Sequence, residues 1–112
     1  MGKGEMKTIN QWVEDIHENA LAHGWWENKR PFPEIVALCH SEISEAMEAY
    51  RNGEALVYIK DGKPEGQAVE LCDAVIRVLD WFGSEGLDME HVMRLKHEYN
   101  KTREYRHGGK IA

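Results

Sequence analysis

One stretch constrains this chain more than any other: from Leu71 to Phe82, every residue except Asp73, Arg77 and Asp80 is apolar. Wound at about 100° per residue, Leu71, Cys72, Ala74, Val75, Ile76, Val78, Leu79, Trp81 and Phe82 cover most of a helix circumference. A helix that apolar has to be surrounded by other elements. Its remaining narrow stripe is Glu70, Asp73, Arg77 and Asp80. The first three should face a cavity or a partner; Asp80, further along, reads as solvent-facing.

The elements that could surround it are also helical. Thr8 with Gln11 three residues on is a capping-box spacing, and Ile9, Trp12, Val13, Ile16, Ala20 and Leu21 then recur on one face up to Gly24. A second helix is expected from about Pro33 to Arg51, with Gly53 beyond as its stop. Residues 54–63 read as a loop around Asp61-Gly62, with at most a short extended piece at Leu56 to Ile59. The apolar helix itself should run from about Pro64 to Phe82 and end at Gly83. A fourth helix should follow Asp88, a good N-cap, and reach about Arg103. No strands are left to build a sheet, so the expected fold class is all-α, a four-helix bundle in one domain over residues 1–112. Residues 1–7 and 105–112 are expected to be flexible tails.

Composition narrows the function. The formal net charge is −6 and the basic residues form no stripe, which argues against binding a nucleic-acid polymer. No apolar run approaches the length of a membrane span, and the first residues lack the apolar core of a signal peptide. A cytoplasmic location follows as the expectation, with Cys39 and Cys72 as two buried, reduced thiols. A chain of 112 residues buries a modest share of its surface, which favours self-association.

The chemistry is carried by carboxylates placed where apolar residues belong. On the second helix Ile35, Leu38, Cys39, Ile43, Ala46, Ala49 and Tyr50 fall on one side, and Glu42 lies in the middle of that arc. Glu45 sits at its edge. With Glu70 and Asp73, four acids are expected to face inward from two helices. A buried unpaired carboxylate costs several kcal/mol or takes up a proton, and four together repel one another. Divalent cations resolve the conflict, and an all-oxygen donor set selects hard ions such as Mg²⁺, with Mn²⁺ a substitute. Helix four repeats the anomaly with the opposite sign: Lys96 and Asn100 fall within the face marked by Met89, Val92, Met93 and Tyr99, and Arg103 continues the line. Opposite an acidic metal site these groups would bind phosphate oxygens and a base edge.

The same residues resemble a known family. Glu42-x-x-Glu45 followed by Glu70-x-x-Asp73 is similar to the paired acidic motif of MazG-like nucleotide pyrophosphohydrolases, in the all-α NTP pyrophosphatase superfamily. The flanking His40 to Ala46, Asp61 to Gly66 and Glu70 to Arg77 segments resemble it too, as does the ending Lys96-x-x-x-Asn100-x-x-Arg103 with His107 to Lys110. The resemblance covers Trp12 to Lys110. It implies a homodimer or homotetramer of MazG fold, with Mg²⁺ held by Glu42, Glu45, Glu70 and Asp73. The implied activity is hydrolysis of (deoxy)nucleoside triphosphates to monophosphate and pyrophosphate, as nucleotide-pool housekeeping. Trp25 or Trp26 is implied to stack on the base, and Lys96, Asn100 and Arg103 to contact the substrate. Glu45 is the glutamate placed to activate water, and Lys63 and the Gly108-Gly109 tail are lesser phosphate candidates. Two rivals stand beside this reading. A di-iron carboxylate bundle needs two Glu-x-x-His pairs, and only Glu14-x-x-His17 is present. A non-catalytic metal–nucleotide or helical interaction module would carry the same acids without turnover.

Overall fold

A computed structural model describes residues 6–103. Four helices, α1 (Ile9–Ala22), α2 (Phe32–Arg51), α3 (Gln67–Glu85) and α4 (Met89–Lys101), are joined by loops and one small antiparallel hairpin, β1 (Tyr58–Lys60) and β2 (Lys63–Glu65). The described residues are all-α apart from that hairpin. Among the described residues no helix is long and apolar enough to cross a membrane.

The helix starts follow their caps. Thr8 Oγ1 accepts from Gln11 N at 3.1 Å while the Gln11 side chain accepts from Thr8 N at 2.7 Å, closing the box that the spacing predicts. Lys7, expected in a loose tail, pairs with Asp15 and lies 4.6 Å from the Trp12 ring centre. The Asp88 carboxylate caps α4 by accepting from His91 N at 3.0 Å. It also accepts from the Asn10 side chain at 2.8 Å, and Asn10 and Glu90 exchange two further bonds. These contacts tie the first turns of α1 and α4 together. Beyond them α4 buries none of its residues.

Two expectations about where the elements lie are corrected. Residues 58–65 form a true hairpin, because Asp61 (φ 52°) and Gly62 (φ 79°) make a tight two-residue turn of the kind Asp-Gly favours; its three-residue strands are too short to show an alternating pattern. α3 does not stop at Gly83 but runs to Glu85 and is capped by Gly86 at φ 67°. Gly83 is inside the helix because α1 crosses there: a Cβ on it would lie 2.6 Å from the His17 Cβ.

α3 packs against both α2 and α1. The shared core is small, consisting of Val13, Ile35, Ala46, Ala49, Ala74 and Leu79. The all-round burial expected of α3 is not reached within one chain. Leu71 and Val75 stay about half exposed, as do Ile43 and Met47 on α2. Cys72 lies on the same open side and is exposed, and Cys39 is only half-buried, so the expectation of two buried thiols fails.

The start of α3 is fixed from the hairpin side. Gln67 N and Ala68 N donate to the carbonyls of Ala55 and Leu56 at 3.2 and 3.0 Å, satisfying amides that a first helical turn leaves open. Gly66, at φ 123°, permits this approach.

Candidate metal and nucleotide site

The buried side of α2 reads Ile35, Leu38 with Cys39, Glu42, Ala46, Ala49, so Glu42 occupies a core position in that stripe. It faces the polar stripe of α3. One oxygen from each of Glu42, Glu45 and Glu70 lies within 4.8 Å of the other two. Asp73 does not join that set, but it feels Glu42 and Glu45. Glu42 and Glu70 are half-buried, and Glu45 is exposed.

Crowding perturbs the acids. Burial pushes the Glu70 carboxyl above its ordinary value of 4.5, and Asp73, Glu45 and a hydrogen bond with Glu45 push it further. Burial likewise raises Asp73 above 3.8, with Glu42 adding to it and Arg77 opposing. Both groups therefore bind protons at higher pH in the folded chain than in the unfolded one. Acidification therefore relieves the repulsion in the folded chain before the unfolded chain takes up protons. The metal-free protein is thus expected to melt at higher temperature as pH falls from neutrality toward the ordinary carboxylate range. A Glu70→Gln/Asp73→Asn variant should lose that rise; an equal rise in both proteins would assign it to other groups.

The donor set is all oxygen. Three convergent carboxylates, with no histidine or thiolate among them, fit a hard divalent cation. Lys63, carried in by the hairpin, pairs loosely with Glu65 at 4.0 Å and offsets the charge on Asp73.

Beside the acids lies a cavity of about 490 Å³ between α1 and the α2–α3 pair. Glu42, Asp73, Trp25, Arg77, Asn19 and Asp80 are among the residues lining it. The volume falls within the range of small-molecule sites. The two tryptophans therefore part company. Trp25 lines the cavity next to Glu42, with the Arg30 guanidinium 3.7 Å from its ring centre. Trp26 is tied up by Asp80, donating from Nε1 to both carboxylate oxygens at 3.0 and 3.1 Å.

Asp80 corrects the sequence reading. It is 7% exposed rather than solvent-facing. His17 Nδ1 approaches its Oδ1 at 2.7 Å, and His17 meets Trp26 edge-on. The partners lie far away in sequence, so nothing in the local pattern of α3 announces them. Truncating Asp80 strands two part-buried donors. Asp80→Ala is expected to cost about 2–4 kcal/mol in a denaturant melt, and a loss below about 0.5 kcal/mol would remove its structural role.

The helix-four residues stand apart from the acids. Lys96 and Asn100 share a groove with Phe82, Met89, Val92, Met93 and His97, not the cavity holding Glu42. Lys96 Nζ and the Arg103 guanidinium lie 5.2 and 5.8 Å from the Tyr99 ring centre. Gly108 and Gly109 lie outside the described residues. Arg77 went unassigned in the sequence reading, although its place on the stripe with Glu70 and Asp73 was visible there. Compared with protein-family models, curated proteins and solved structures, the chain matches none.

Proposed function

We propose that this chain is a Mg²⁺-dependent nucleoside triphosphate pyrophosphohydrolase of MazG-like fold, cleaving (deoxy)nucleoside triphosphates to monophosphate and pyrophosphate in cytoplasmic nucleotide-pool housekeeping. The observation that carries this reading is the meeting of three carboxylates on two helices beside a nucleoside-sized cavity that holds an aromatic ring. Glu42, Glu45, Glu70 and Asp73 hold the metal. Bound there, Mg²⁺ (or Mn²⁺) supplies charge neutralisation for the triphosphate and acidifies water. Glu45, the exposed acid of the set, orients the attacking water and accepts its proton. Water attacks in line at the α-phosphorus, and pyrophosphate departs. Trp25 offers its ring to the base; Trp26 acts behind it through Asp80.

A homodimer or homotetramer completes the protein. The half-exposed Ile43, Met47, Leu71 and Val75 beside the acids form the surface a second copy would cover. Lys96, Asn100 and Arg103 serve as substrate contacts only in such an assembly, where a second copy brings them to the acids.

The test is incubation with a panel of NTPs and dNTPs, with Mg²⁺ and then with EDTA, followed by anion-exchange separation. Monophosphate plus pyrophosphate only in Mg²⁺ is the expected outcome. Diphosphate plus orthophosphate would place the cleavage at the wrong bond, and nucleotide bound but left intact would make the chain a sensor.

A further inference from the structure

Arg77 sits inside the acidic site. Its Nε donates to Glu42 Oε2 at 2.7 Å, with 28% of the arginine side chain and 13% of the glutamate exposed. Its guanidinium carbon lies 5.0 Å from the Trp25 ring centre, and the side chain lines the cavity. Arg30, the other guanidinium on that ring, is held in place: its Nε donates to the Trp25 carbonyl at 3.1 Å, and its Nη1 pairs with Glu34. Arg77 has a single hydrogen-bonding partner among the described residues, and that partner is Glu42. Glu42 is also the one acid shared by the three-oxygen cluster and the cavity wall.

These facts set up a competition. A divalent cation held by Glu42, Glu45 and Glu70 draws on a carboxylate that Arg77 already engages. Arginine cannot give up its charge to ease the conflict. The like charges repel over a few ångströms in a partly desolvated site, where Coulomb terms are large. That repulsion favours a guanidinium that leaves Glu42, and the space open to it is the cavity beside Trp25. A nucleotide seated against Trp25 would bring its phosphates there, and guanidinium pairs well with phosphate oxygens.

We propose that Arg77 is a latch: it holds Glu42 in the metal-free chain and, once a divalent cation takes Glu42, becomes a contact for a phosphate oxygen of the nucleotide. The proposal rests on the metal–nucleotide reading above. It makes Arg77 a competitor of the metal and a helper of the nucleotide, so removing it changes the two affinities in opposite directions. A merely structural arginine would weaken both.

Isothermal titration of Mn²⁺ alone, and of a non-hydrolysable α,β-methylene nucleoside triphosphate with Mg²⁺, separates the cases. Arg77→Gln is expected to bind Mn²⁺ about 3- to 10-fold more tightly than the wild type, since the competing state is gone. The same variant is expected to bind the analogue about 10-fold more weakly, the loss of one charge-assisted contact. Mn²⁺ affinity that is unchanged or weaker in the variant, or analogue affinity that is unchanged, overturns the latch while leaving the metal centre standing. Absence of Mn²⁺ binding by the wild type overturns both. Should Arg77→Gln fail to fold, wild-type tryptophan emission decides. Mg²⁺ is expected to change it, and the change is expected to vanish in Trp25→Phe; emission insensitive to Mg²⁺ overturns the latch.

Discussion

Glu42→Gln is expected to lower Mg²⁺-dependent release of pyrophosphate by about 10³-fold or more, the scale on which a principal charge-stabilising group acts. Glu42 belongs to both the carboxylate cluster and the cavity wall, and its side chain is 13% exposed. Glutamine keeps the shape of the side chain. Its amide oxygen can still accept from Arg77, so the α2–α3 packing has no reason to fail, and the helical circular dichroism signal should be unchanged. Glu48→Gln, on the same helix but 63% exposed, is the control and should retain wild-type turnover. The measurement is pyrophosphate release over a Mg²⁺ titration. Wild-type activity in Glu42→Gln with both proteins folded would remove the site assignment, because no other described residue joins the cluster to the cavity.

The second large effect is on stability. Gly66→Ala is expected to destabilise the chain by about 3–5 kcal/mol, adding the cost of a side chain at a left-handed φ to that of a close contact. At φ 123° the new Cβ would sit 2.4 Å from the Leu56 carbonyl oxygen and 2.6 Å from that of Ala55. Both neighbours are backbone and cannot swing aside as a side chain would. They are also the acceptors that hold Gln67 N and Ala68 N, so relieving the clash breaks the bonds that start α3. Glu70 stands on that first turn, its own N–H donating to the Gly66 carbonyl at 3.0 Å. A fall in melting temperature of about 10 °C or more is the expected result, together with weakened Mn²⁺ binding. Gly53→Ala is a useful comparison. Its φ of 70° is strained, but nothing lies within 4 Å of the added Cβ, so the smaller loss should leave metal affinity intact. Equal effects at the two positions would mean that the contact at Gly66 does not matter.

Much of the local structure was legible in the residues themselves. Helical period, the Thr8–Gln11 box and the Asp88 cap are short-range properties, decided within one or two turns by hydrogen bonds and side-chain spacing. The inward position of Glu42 was legible for the same reason: an acid inside an apolar arc is a fact about one helix. The convergence of Glu45 and Glu70 on it needed only that α2 and α3 pack by their expected faces.

What the tertiary structure alone decided is everything that depends on which helices meet and how closely. Asp80 looked solvent-facing on its own helix, yet Trp26 and His17, 54 and 63 residues away, make it a buried acceptor. Gly83 looked like a helix stop and is instead the gap through which α1 crosses α3. Trp25 and Trp26 are indistinguishable as neighbours in a loop, and only the position of Asp80 ties Trp26 to α3 while Trp25 lines the cavity. The fourth helix shows the limit most clearly. Its Lys96, Asn100 and Arg103 are aligned by sequence, but α4 is anchored at its first turn to α1, and that anchor directs the row away from the acids of its own chain. Periodicity states which face of a helix is apolar; the partner that face meets depends on close approaches and long-range hydrogen bonds, which exist only once the chain has folded.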